Sequence, residues 1–415
     1  MSGEGTAAFG VLRLAAALLW KGGAENMAEN IRDHFPALQR THNGRPVAYF
    51  DAPGGTQVPR GVAEAMSDYL FHHNANTHWA YPTSEETDAI IAGARVAAGE
   101  FLNCQAEEIV FGANMTSLTF HLARTLGRTW KSGDEVIVTD LDHHANVAPW
   151  RALEIERGIV VRSARMIRET CAIDYDHLQR LAGPKTRLIA IGGASNAVGT
   201  INDLSRVRTI ARAAGAMLFV DAVHLAPHEP IDVQAIGCDF LACSAYKFYG
   251  PHIGILFARR ELLDSLPFPK LDPAPDTSPE RAETGTQNQE GIAGVTATVA
   301  FMKRLGYDRL HREGQRFTKM LWDGLSSMRR VRLHGPPPNH PRTPTVAFTV
   351  DGMTSEAVAR ALAERALFAS HGDFYAATLV RELGVEGLVR IGCACYSTDD
   401  EISRLMSALD ETLLR

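Results

Sequence analysis

An α/β fold built on a largely parallel sheet is the architecture this chain predicts, on three observations. From Arg45 onward, short apolar or β-branched runs alternate with helical stretches. The chain has 415 residues, of which 45% are hydrophobic and 22% charged, enough to bury a large core in one or two domains. No internal repeat interrupts the alternation. The expected strands are Glu108 to Phe111, Glu135 to Thr139, Ile159 to Arg162, Leu188 to Ile191, Met217 to Val220, Phe240 to Cys243 and Gly254 to Phe257. Helices fall between them, among them Ser117 to Thr129, Pro149 to Arg157 and Ser205 to Ala214. A stretch rich in Pro, Asp and Ser, from Pro267 to Glu283, reads as a loop. A long helical region follows Ile292, and a smaller α+β unit closes the chain, with strands at Thr345 to Val350 and Leu388 to Ile391 and a final helix from Asp399.

Charge and cysteine usage narrow the function. The net charge of -6, without a long Lys/Arg run, gives no attraction for a nucleic-acid backbone or an anionic membrane, so a small-molecule substrate is favoured. Six irregularly spaced cysteines make no disulfide framework, and no CxxC pair points to zinc, which suits the reducing cytoplasm. Ala7 to Trp20 is nearly all apolar, yet Glu4 and Arg13 are foreign to a signal peptide and the run is short for a membrane span. Residues 1–26 therefore read as an extension ahead of Met27.

The densest chemistry lies in residues 219–257, FVDAVHLAPHEPIDVQAIGCDFLACSAYKFYGPHIGILF. One apolar strand ends in Asp221, and the next ends in Cys243, Ser244, Ala245, Tyr246 and Lys247. Parallel sheets place ligands at such strand ends. Pyridoxal 5'-phosphate (PLP) needs an amine for a Schiff base, a carboxylate to keep its pyridine nitrogen protonated, and donors for its phosphate. Lys247, Asp221, Ser244 and Tyr246 supply that set. Taken singly, each has a plainer reading: a lysine after an apolar strand is usually solvated, and a strand-end aspartate is as often a helix cap.

The order of further motifs resembles the cysteine desulfurase branch of the class V aminotransferases, over about residues 45–410. YFDAPGGTQVP at 49–59 resembles that family's opening segment. IVFGANMTSLTF at 109–120 is similar to its phosphate-binding turn, which implies phosphate contacts from Asn114, Met115 and Thr116 at a helix N-terminus. LDHHANVAPW at 141–150 implies that His143 stacks on the pyridine. ASNAVGT at 194–200 implies Asn196 near the ring hydroxyl or the substrate carboxylate. ETGTQN at 283–288 implies a homodimer in which Thr286 reaches the partner's phosphate. LVRIGCACYST at 388–398 implies that Arg390 clamps the substrate carboxylate. With the resemblance come a fold-type-I architecture, a large domain at 46–300 holding a mostly parallel seven-stranded sheet, a small α+β domain at 301–415, and a segment at 27–45 packing on the latter.

Departures from the family shape the functional expectation. His224 stands where desulfurases usually carry a glutamine that bonds the PLP 3'-oxygen, a bond that a neutral imidazole also donates. Tyr246 replaces the histidine before the lysine. FASHGDFYA at 368–376 replaces the mobile loop whose cysteine attacks sulfur: His371 is kept as a substrate contact, and Asp373 stands near the expected thiol. Cys393 and Cys395 read as core residues. VDAVH, CSAYKF and HGDFYA together resemble the subgroup called cysteine desulfurase-like proteins. The expected enzyme acts on an amino acid through Lys247, His143 and Asp221, cleaving carbon-sulfur bonds by β-elimination. Aminotransferase or epimerase chemistry is the alternative, and a non-catalytic PLP-binding scaffold a third. No metal is expected: His143 and His144 are adjacent on a strand end and point apart. His72, His73 and His78 read as a polar loop, and substrate selection is expected from the loop His72 to Thr83 and from His371 to Tyr375.

Overall fold

The structure is a computed structural model that describes residues 31–413, so the 1–26 extension lies outside the described residues. Its main sheet has seven strands: β1 (Ile109–Gly112), β2 (Glu135–Thr139), β3 (Val160–Ala164), β4 (Thr186–Gly192), β5 (Met217–Asp221), β6 (Phe240–Ser244) and β7 (Gly254–Ala258). They lie in the order β1-β7-β6-β5-β4-β2-β3, and only β7 runs antiparallel to its neighbours. Chain direction reverses across the sheet between β2 and β4, the switch point at which ligands bind beyond the strands' carboxyl ends.

Burial on both faces explains why the central strands are apolar throughout. Leu218, Val220, Leu241 and Cys243 pack on one face, while Phe219, Phe240 and Ala242 pack on the other. Both faces are covered by helices, including α1 (Met115–Gly127), α2 (Ala148–Arg157), α3 (Leu204–Ala214) and α4 (Gln289–Leu305), so the central strands carry no polar side, whereas the edge strand β3 exposes Arg162. α2 ends at Gly158, whose φ of +67° is the left-handed cap that glycine adopts without strain. Its Trp150 is fully buried and meets Phe219 edge-on at 5.5 Å. Trp150→Ala should cost about 3–5 kcal/mol, read as a lowered denaturant midpoint. A cost below about 1 kcal/mol would show that this contact does not hold α2 to the sheet.

After α4, helix α5 (Tyr307–Ser326) leads into a four-stranded antiparallel sheet. It comprises β8 (Val331–His334), β9 (Thr345–Val350), β10 (Ser370–Gly372) and β11 (Leu388–Gly392), in the order β8-β9-β11-β10. Val346, Phe348, Val389 and Ile391 pack under α5 and the closing helix α6 (Asp399–Leu413). The expected strands are all present, with ends shifted by one or two residues; β8 and β10 are additions. The expected loop at Pro267 to Glu283 is irregular apart from a short turn of helix at Glu280–Ala282.

Candidate active site

The carboxyl ends of β2, β4, β5 and β6 surround one cavity of about 560 Å³. β5 ends in Asp221, whose Oδ1 accepts the Val223 N–H at 2.9 Å. Burial raises its pKa to about 6, so the site favours a cationic partner for this carboxylate. One turn beyond β6 stands Lys247, whose Nζ donates to the carbonyls of Pro53 at 2.6 Å and Gly54 at 2.9 Å. Burial, then the charge of Arg390, lowers its pKa to about 8 against the opposing pull of Asp51 and Asp221. A sizeable neutral fraction at physiological pH makes this amine a competent nucleophile.

One wall of the cavity is the start of α1. Asn114 caps it, its Oδ1 accepting the Ser117 N–H at 2.9 Å, and the Met115 N–H donates to Ser244 Oγ at 3.0 Å. Asn114, Met115, Thr116 and Ser244 thus gather at a helix N-terminus, where the dipole favours an anion. Tyr246 stacks on His252 at 4.9 Å, and both line the cavity.

His143 follows β2, and its Nδ1 accepts the Ala145 N–H at 3.0 Å, which puts the ring proton on Nε2. Burial, then Lys247, pushes its pKa down to about 4, so the ring is neutral. His224 is held neutral by burial, then by His228; its Nε2 meets the hydroxyls of Thr343 and Thr345 at 3.0 and 3.1 Å, so a bond to a bound ring oxygen falls to Nδ1. Asn196 donates from Nδ2 to the Phe374 carbonyl at 2.9 Å, while its buried Oδ1 has no partner. A buried amide oxygen left unpaired beside the cavity is what a missing hydrogen-bonding ligand leaves behind. PLP therefore fits the residues present: an amine, a buried carboxylate, a neutral ring, an anion-binding helix start and an unsatisfied acceptor.

Arg390 on β11 lies just behind this cavity. It is buried, donates to the Asn196 carbonyl at 2.9 Å, to Asp51 Oδ1 at 3.0 Å and to Ser370 Oγ at 3.0 Å, and the Phe374 ring covers it at 4.1 Å. Besides Arg390, two further expected residues do not line the cavity. His371 is exposed on β10; its neighbour Ser370 faces Arg390, and a one-residue step along a strand changes face. Thr286 borders a separate depression with Lys270 and Gln287. The polar loop is also remote: His73 pairs with Glu86 at 2.6 Å, and His78 pairs with Asp88.

Asp142 was not singled out in the sequence reading, whereas Phe374 and Tyr375 lie in the expected selection loop His371 to Tyr375. Buried Asp142 accepts the Gly192 N–H at 2.5 Å and the Thr139 N–H at 3.0 Å, tying the ends of β4 and β2 together beside His143. Its place next to two histidines in LDHH was the available signal. Phe374 and Tyr375 adopt φ of +54° and +58°, and the Tyr375 carbonyl accepts the His144 N–H at 2.7 Å. No pattern announced that strain. Among the described residues no group of histidines, cysteines and carboxylates forms a metal site, and no helix is long and apolar enough to cross a membrane.

A seven-stranded, mostly parallel sheet with a half-buried lysine and a buried aspartate at its strand ends defines the class of fold-type-I PLP-dependent enzymes. Within that class the chain belongs to the aminotransferase class-V family, which it matches over residues 48–405. It is 30% identical over 404 residues to a probable cysteine desulfurase of Synechocystis sp., covering 94% of this chain and 96% of that one. A cysteine desulfurase of Pectobacterium atrosepticum is 31% identical over 397 residues, covering 92% and 97%. The apo structure of a cysteine desulfurase from Thermococcus onnurineus superposes with a TM-score of 0.88 at 27% identity, covering 94% and 98%.

Proposed function

We propose that this chain is a PLP-dependent enzyme acting on an amino acid, cleaving a carbon-sulfur bond by β-elimination. The observation that carries the reading is the pairing of half-buried Lys247 and buried Asp221 on one cavity that no cysteine lines. When bound, the cofactor supplies an electron-poor ring that stabilises negative charge at the substrate α-carbon. Lys247 anchors it and, once released, takes the α-proton at Nζ. Asp221 holds a proton on the ring nitrogen, His143 covers the ring, and Asn114, Met115, Thr116, Ser244 and Tyr246 hold the phosphate. Asn196 and the Nδ1 side of His224 serve the ring oxygen. Arg390 receives the substrate carboxylate. The bond to sulfur breaks as the electron pair leaves with it, and the proton that Lys247 took at Nζ is passed on to the leaving sulfur.

We also read the protein as a cytoplasmic homodimer in which Thr286 completes the partner's phosphate site. Support comes from its distance from this chain's own cavity and from the exposed Phe71 and Trp79, 78% and 60% accessible in one short segment. The six unpaired cysteines suit a reducing compartment. Transamination remains the second reading, since it needs the same Lys247 and Asp221 and no leaving group.

Arg390→Ala tests the carboxylate assignment. A bidentate charge-assisted pair contributes about 1.5–3 kcal/mol, so apparent amino-acid affinity should fall roughly ten- to a hundredfold while the cofactor's absorbance is kept. Unchanged affinity would remove Arg390 from the substrate site.

A further inference from the structure

The guanidinium of Arg390 is already engaged by a carboxylate of its own chain. Of its five N–H donors, one goes to the Asn196 carbonyl and the two on Nη2 go to Asp51 and Ser370, while Nε is buried without a partner. A substrate carboxylate needs two adjacent donors for a bidentate grip. The fork that includes Nε shares Nη2, whose donors Asp51 and Ser370 hold.

This contact is built into the chain. Asp51 follows a short strand, bridges to Gly392 on β11, and its carbonyl accepts the N–H groups of Gly54 and Gly55 in a tight turn. A Cβ on Gly392 would overlap Pro53, and one on Gly54 would overlap the Asp51 carboxylate, so both glycines make room for it. Ser370 donates a second hydrogen bond to the same carboxylate oxygen. The same turn presents the Pro53 and Gly54 carbonyls to Lys247, so one loop touches both the amine and the guanidinium. The Asp51 side chain is 44% exposed against 4% for Arg390, so water can take over one partner when the pair opens.

We propose that Asp51 is a specificity-determining residue: its carboxylate occupies Arg390 as an internal stand-in, and an amino acid binds by exchanging its own carboxylate for that of Asp51. The inference rests on Arg390 being the carboxylate site. Ligands whose carboxylate makes both bonds displace Asp51; amines without one do not gain from the exchange. The competing internal state lowers apparent affinity by the fraction of molecules in which Arg390 is open.

The test titrates cofactor-loaded wild type, D51N and R390A with L-alanine, which has no β-leaving group, and with methylamine, which has no carboxylate. Cofactor absorbance reads binding without turnover. D51N should raise the ratio of L-alanine to methylamine affinity roughly two- to tenfold, as expected for loss of a half-exposed ion pair. D51S serves as a second variant, with the same direction expected, and thermal melting checks both folds. An unchanged or lowered ratio in both variants overturns the proposal and makes Asp51 a mere support for the arginine. If R390A leaves the ratio at the wild-type value, the carboxylate assignment itself has failed, which separates the two failures.

Discussion

Lys247→Ala is expected to lower turnover on the best amino-acid substrate by about 10²- to 10⁴-fold, the range for removing a positioned general base, and to abolish borohydride fixation of the cofactor at this position. The loss should come without collapse of the fold. The amine's folded-state bonds are those to the Pro53 and Gly54 carbonyls, each contributing about 1 kcal/mol, and deleting a desolvated amine offsets part of that. Lys247 is the one lysine lining the cavity among the described residues, so no neighbour takes over. Its lowered pKa adds a pH signature. The neutral amine is the nucleophile, so capture of added cofactor by the cofactor-free protein should speed up as pH rises and level off above about 8. Peptide mapping after reduction checks the first outcome; a label on another lysine would sink the assignment.

How much of this site was legible in the sequence depended on what fixed each side chain. Asp221, Ser244 and Lys247 were readable because apolar strands buried on both faces must end where the chain turns polar, and that edge is where the cavity opens. Asn114 was reached only through the resemblance to a phosphate-binding turn, and its capping of α1 is a finding of the structure. Ser370 and His371 show the limit: both stand in one motif, yet only the register of β10 against β11 decides which faces Arg390. The Asp51 to Arg390 pair joins positions 339 residues apart, and such a contact leaves no local pattern. The conformation of Phe374 and Tyr375 is likewise set by distant partners, the Asn196 amide and the His144 N–H, rather than by their own preference.

The stretch 368–376, where the resemblance puts the desulfurase thiol, has Asp373 near that position and no cysteine, so incubation with cysteine should yield sulfide, pyruvate and ammonia and leave the protein's mass unchanged. A persulfide needs a thiolate delivered to the substrate sulfur. Cys393 and Cys395 are buried in or beside β11, and burial pushes each thiol up to about 12; Cys243 lies on the far face of β6 and is raised further. Cys104, Cys171 and Cys238 are raised as well, to about 12, 11 and 12, with burial the largest cause each time. At neutral pH a thiol with a pKa near 12 is ionised in only about one molecule in 10⁵, so none of the six is a ready acceptor. Elimination, on the proposed reading, asks less of the chain: a base at the α-carbon and a proton for the departing sulfur, both of which the Lys247 amine would supply. Residues 374 and 375 are also pinned through their carbonyls, to the Asn196 amide and the His144 N–H, which does not suit a swinging nucleophile. Intact-protein mass without reductant, read beside the organic product, decides the outcome. A gain of one sulfur on any cysteine, with alanine as product, would overturn elimination in favour of persulfide transfer, whereas a keto acid formed with the cofactor left as its amine would point to transamination.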